Sequence, residues 1–215
     1  MHAAGNFRLA LPHFEEALEV APESEDLHIW RAECGLAVHE YSIVRYDAGS
    51  VLTRINVHST RALRVLALAL YRILGRTDAA LQNLKLCLRW HFGSQICAKA
   101  KRQVARAEEL WLGLRSLTEA TPLNYTSVIT AGTALVTHDQ EAKFFVTRAQ
   151  RYLCAAFRST GDAVSAAKAC LLAAGGAAGP QVALNEASGS QEEEAELTTV
   201  LIHLAWAYAQ LRRWK

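Results

Sequence analysis

Apolar and small residues recur three and four positions apart in blocks of about a dozen residues, and this spacing predicts helices rather than strands. The first block, "GNFRLALPHFEEALEVAPES" (residues 5–24), places Gly5, Phe7, Ala10, Phe14 and Ala17 on one stripe and ends at Pro22, which no helix continues through. The stripe returns in "LHIWRAECGLAVHEYSIVRYDAGSVLTRIN", with Ala32, Tyr41 and Val44 in register. It returns again in "LRVLALALYRILGRTDAALQNLKLCLRWH", with Tyr71, Leu74, Gly75, Ala80, Leu84 and Cys87. Alternating small and large residues on such a stripe let two antiparallel helices approach closely. A longer helix is predicted through "SQICAKAKRQVARAEELWLGL".

A helical hairpin repeated about every 34 to 36 residues is the signature of tetratricopeptide (TPR) repeats. The expected fold is therefore all-α, a TPR-type α-solenoid with a right-handed superhelix. Repeats and a long linking helix are expected over residues 5–115. Residues 116–143, with Pro122 and a Thr-rich, β-branched composition, read as a degenerate or inserted repeat and a poor helix pair. The hairpin pattern resumes over 144–174, with Cys154, Phe157, Gly161, Ala166 and Cys170 in register. Residues 175–194, rich in Gly, Ala and Ser and then acidic, read as a flexible surface loop. Residues 195–215 read as the first helix of an incomplete repeat. The chain thus opens on a second helix and closes on a first, which is the expectation for a segment of a longer protein.

Composition narrows the function classes. The 215 residues are 51% hydrophobic and 20% charged with four prolines, which suits an ordered helical protein. A net charge of +2 is too small to argue for a nucleic-acid or anionic-membrane partner, and neither is expected. The most basic run, "AKAKRQVAR" (98–106), reads as a solvated helix face. No apolar run is long enough to span a bilayer, and the first residues turn acidic too early for a signal peptide. Catalysis has no support: there is no nucleophile elbow, no HExxH and no P-loop, and "GGAAG" (175–179) follows a helix rather than a strand. No cofactor is implied, and a zinc site at Cys87, His91 and Cys97 lacks a fourth ligand.

Cys87 falls late on one helix and Cys97 opens the next; Cys154 and Cys170 face each other across a hairpin. Either pair is placed for a bridge, but thiols are also favoured small residues in helical cores, and the residues alone leave both readings open. In a TPR array the first helices line a concave groove, here offering Ile29, Leu36, Val65, Ala69, Arg72, Arg151, Ile202 and Trp206. Val65/Ala69 and Ile29/Glu33 stand where the Lys and Asn of an Hsp70/Hsp90-tail clamp would be, so that clamp is not expected. "NYT" at 124–126 is a glycosylation sequon on Asn124.

Taken together, "LHIWRAEC", "LALYRILG" followed by "LKLCLRWHFGSQIC", "AEEL", "RYLCAAF" with Cys170 after it, and "LAWAY" make the chain resemble the DnaJ homolog subfamily C member 3 co-chaperones. The resemblance covers most of the chain except about 116–143 and 175–194. It implies a TPR array in the endoplasmic-reticulum lumen that binds unfolded or misfolded client proteins, with disulfides Cys87–Cys97 and Cys154–Cys170. It also implies transfer of clients to the luminal Hsp70 through a J domain, and a protein kinase as a further partner. No His-Pro-Asp triplet occurs in this chain, so no J domain is expected in it. The rival expectation is a cytoplasmic TPR scaffold that joins specific folded partners.

Overall fold

The computed structural model describes residues 6–174 and 191–212. Among them there are ten helices and no strand. They are α1 (Phe7–Val20), α2 (Glu25–Ala37), α3 (Tyr41–Ser50), α4 (Thr60–Arg72), α5 (Thr77–Trp90), α6 (Gln95–Glu119), α7 (Tyr125–His138), α8 (Lys143–Thr160), α9 (Ala163–Ala173) and α10 (Gln191–Arg212). Two compact units divide the chain, Met1–Glu108 and Glu109–Lys215, with the division inside α6.

In the first unit each helix from α1 to α5 packs on the next, and α2 also packs on α4. Two first helices stacked in this way make successive hairpins a repeat array rather than a string of hairpins. Small residues permit it. Ala32, Ala48, Ala62 and Ala69 are fully buried, interleaved with Ile29, Val44, Val51 and Val65. A π-helical turn over Val51–Ile55 extends α3 and keeps Val51, Leu52 and Ile55 on the Ile29–Ala62 core. Gly35 is the tightest point: a Cβ there would lie 3.0 Å from both Cβ and Cγ2 of Ile43.

Polar groups fix the register. Ser24 and Ser59 cap α2 and α4 by accepting from the Leu27 and Ala62 amides. Ser59 also donates to Glu25, Arg61 pairs with Asp26, and Arg64 donates to Glu33 at 2.7 Å. Each partner lies 31–35 residues away, one repeat length. Beneath this ladder Asp47 is fully buried and accepts from Arg31 Nε and Nη2 at 2.8 and 2.7 Å. His28 places Nδ1 2.8 Å from Asp47 and Nε2 3.0 Å from the Pro22 carbonyl. Asp47 thereby ties α2, α3 and the α1–α2 turn together, and its hydrogen bond and charge push the Arg31 guanidinium above its ordinary value.

The second unit is built on α8, which packs against α7, α9 and α10. The Trp111 ring near the end of α6 meets Phe145 and Tyr152 of α8. The Thr-rich stretch expected to be a poor helix pair instead completes α6 and forms one 14-residue helix, α7, capped by the Asn124 side chain. Packing overrides its propensity: Val128 and Leu135 are buried, and Gly132 lies so close to α8 that a Cβ would sit 2.9 Å from Leu153. The Thr130 and Thr137 hydroxyls donate to carbonyls one turn back. Gly161 closes α8 at φ 82°, with its amide and that of Asp162 donating to the last-turn carbonyls, and Asp162 then caps α9. Val200, Leu204 and Ala207 seat α10 on the α8–α9 core. Of the loop expected over 175–194, residues 175–190 lie outside the described residues and 191–194 belong to α10.

Gly35→Ala forces a methyl against the unyielding branch of Ile43, so it is expected to destabilise by about 1–2 kcal/mol despite the better helix propensity of alanine. Gly49→Ala, with open space around the new methyl, is expected to stabilise by about 0.5–1 kcal/mol. Urea unfolding of the two variants should give opposite signs; the same sign would contradict the close approach at Gly35. Asp47→Ala leaves Arg31 and His28 facing a void and is expected to cost about 3 kcal/mol in the same measurement, against less than about 1 kcal/mol for an exposed pair such as Arg115–Glu119.

Candidate functional site

The sulfurs of Cys87 and Cys97 are bonded across the α5–α6 turn, with Cα atoms 6.3 Å apart. Those of Cys154 and Cys170 are bonded between α8 and α9, with Cα atoms 4.8 Å apart. Both separations follow from antiparallel neighbours: Cys87 near the end of α5 faces Cys97 in the first turn of α6, and Cys154 and Cys170 stand at similar distances either side of the turn at Gly161. Cys34 is left as a buried thiol, and burial followed by the Glu33 charge pushes its pKa up. Among the described residues no group of His, Cys, Asp and Glu is arranged to hold a metal ion.

The first stapled turn presents a cluster of exposed apolar side chains. Trp90 ends α5 and meets the His58 ring edge-on at 4.5 Å, while His91 Nε2 sits 2.8 Å from the His58 carbonyl. These contacts bring the α3–α4 loop beside the α5–α6 turn. On that surface Val57 and Ile96 are more than half exposed, Trp90 is 38% exposed, and Phe92 is entirely in solvent. The disulfide and the two histidine contacts hold the turn, so the apolar groups face outward from a fixed base. Large apolar side chains on a turn, where polar residues are usual, were the sequence signal for this surface. The periodicity of the flanking helices drew attention to their buried faces instead.

The residues expected to line the groove separate into two sets. Ile29, Val65 and Ala69 have no exposed surface and form the α2–α3–α4 core, so they do not line a groove; the first helices pack on each other through the positions expected to face outward. Leu36 is half-buried against that core. Arg72 and Arg151 keep partial exposure, Ile202 is 59% exposed, and Trp206 is half-buried beneath the Arg158 guanidinium, 5.7 Å from its ring centre. Asn124 is exposed, with its side-chain oxygen accepting from the Ser127 amide.

Each unit also carries a cleft. In the first, Glu15, Glu19, Pro22, His28, Arg31 and Arg54 are among the residues around a cavity of about 540 Å³. In the second, Arg148, Arg151, Tyr152 and Ala155 of α8 face Thr199, Val200 and His203 of α10 around about 200 Å³. Burial, then the Arg158 charge, holds the His203 imidazole below its ordinary value. No helix among the described residues is long and apolar enough to cross a membrane.

No protein-family model matches the chain, and no curated protein matches it in sequence. A solved structure that does match is the crystal structure of the P58(IPK) TPR domain, with a TM-score of 0.56 and 18% sequence identity, over 99% of this chain and 63% of that one. At that identity the likeness carries the fold alone. The chain is accordingly an all-α array of TPR-type helical hairpins.

Proposed function

We propose that this chain is the TPR segment of an endoplasmic-reticulum co-chaperone that binds unfolded or misfolded proteins without catalysis of its own. The observation that carries the reading is the exposed apolar surface at Val57, Trp90, Phe92 and Ile96, held on a turn closed by Cys87–Cys97. Exposed apolar groups on a rigid base suit apolar segments of many sequences, because burial rewards area rather than pattern. Partly exposed first-helix positions add to the contacts within each unit, Leu36 and Arg72 in the first and Arg151, Ile202 and Trp206 in the second. Two disulfides and the exposed sequon at Asn124 favour an oxidising, glycosylating compartment. The matched structure belongs to P58(IPK), the DnaJ C3 protein, in line with the sequence resemblance. Handing clients to an Hsp70 would be the work of a J domain, and a protein kinase partner would be inherited from the same family.

Purified chain should suppress aggregation of a chemically denatured test protein, and the double variant Phe92→Ser, Ile96→Ser should lose most of that effect while melting at the unaltered temperature. No suppression at several-fold molar excess, or full suppression by the double variant, would count against the site. Compartment is read separately from the thiols. Protein made in an oxidising lumen should show almost no reactive thiol when native, since Cys34 is buried with a raised pKa, and one thiol when denatured without reductant. Five thiols would point to the cytoplasmic scaffold. Replacing either cysteine pair by serine is expected to cost about 2–4 kcal/mol.

A further inference from the structure

We infer that the disulfide-stapled α5–α6 turn docks on the surface of an anionic phospholipid bilayer, with its apolar tip inserted among the headgroups. Between Asp78 and Glu108 the chain has no acidic residue and six basic ones, Lys85, Arg89, Lys99, Lys101, Arg102 and Arg106. The net charge of +2 therefore conceals a local excess of six on this one stretch of chain. Lys85, Arg89, Lys99 and Arg102 are exposed. At about 1.5 Å per residue they stand within about 10 Å of the helix ends that flank the turn. The screening length at physiological salt is ~8 Å, so these cations act on phosphates gathered at the tip.

The shape and composition of the tip favour lipid over a protein groove. Phe92 is entirely in solvent, Ile96 and Val57 are more than half exposed, and Trp90 ends α5 with its ring against the edge of His58. The surface is convex and apolar at its apex, with cations on the slopes behind it. A fluid bilayer closes around a convex tip without having to match its outline. Aromatic side chains settle at the headgroup level, where apolar and polar surroundings meet. Attachment to a bilayer surface grows with the apolar area inserted and with attraction to anionic lipid, and this turn offers both. The Cys87–Cys97 bond and the His91–His58 contact fix the turn, so little conformational freedom is lost on docking.

Lipid docking does not rest on client holding, although the two share the apolar tip. The full chain with both disulfides intact is sedimented with vesicles of equal parts phosphatidylcholine and phosphatidylserine, beside vesicles of phosphatidylcholine alone. It should bind the mixed vesicles, leave the neutral ones, and come off as salt rises. Phe92→Ser with Ile96→Ser should weaken binding about tenfold or more, and so should Lys85→Gln, Arg89→Gln and Lys99→Gln together. Lys143→Gln with Lys168→Gln, in the second unit, should change nothing. In the unaltered chain, a spin-labelled headgroup in bicelles of the mixed lipids should broaden the NMR amide signals of residues 90–96 first, a readout that does not rely on variants folding. The triple glutamine variant keeps the apolar tip, so it should still suppress aggregation of a denatured protein while losing the vesicles. Failure of the unaltered chain to suppress aggregation, with vesicle binding intact, would sink client holding and leave lipid docking supported. Equal binding to neutral vesicles, broadening confined to other helices, or binding unmoved by either set of variants would overturn the docking. Binding of a short duplex RNA in preference to the vesicles would assign the cations to nucleic acid and overturn it as well.

Discussion

Every hairpin in this chain depends on how near two helices can come. The controlling distance is the one between Gly35 and Ile43, where a single added carbon would sit at 3.0 Å, with its counterpart between Gly132 and Leu153 in the second unit. At such separations the alanines at 32, 48, 62 and 69 fill the interface completely and the larger Ile29, Val44 and Val65 interdigitate around them. Core volume is conserved by pairing small with large, and packing at near-crystalline density makes the arrangement intolerant of extra atoms.

Close approach gives affinity between helices but little choice of register, and the polar groups supply the choice. The Glu25–Ser59, Asp26–Arg61 and Glu33–Arg64 contacts all join positions about one repeat apart, so each selects the same stacking of α4 on α2. Exposed members of such a ladder add little energy individually. Asp47 differs because it is wholly buried, and three donors must converge on it for the carboxylate to be tolerated there. A misregistered hairpin would strand that charge.

The outer surface follows from the same economy of contacts. Once the faces of α2 and α4 that were expected to form a groove are spent on each other, the exposed apolar side chains among the described residues lie on turns and on outer helix faces. The α5–α6 turn and the outer face of α10 are such places, the first apolar and fixed by a disulfide, the second apolar beside a cluster of guanidiniums. Each unit thus carries its own exposed apolar surface, on a stapled turn in the first and beside guanidiniums in the second.

Helix content, hairpin period and the turn positions at Gly75 and Gly161 were legible in the residues themselves, because a 3.6-residue stripe and a left-handed turn are local demands of the backbone. The pairing of small with large residues was legible for the same reason. Local pattern misjudged 125–138, where threonine and β-branched residues argue against a helix and burial of Val128, Gly132 and Leu135 outweighs them. It also placed Ile29, Val65 and Ala69 on a groove, since a stripe reports that a face is covered but not by what. Tertiary structure alone decided that α2 and α4 cover each other, that Asp47 has Arg31 and His28 as partners, and that Arg148, Arg151 and His203 meet around one cleft. Those facts join residues 16 to 55 positions apart, and no periodicity within a single helix encodes them.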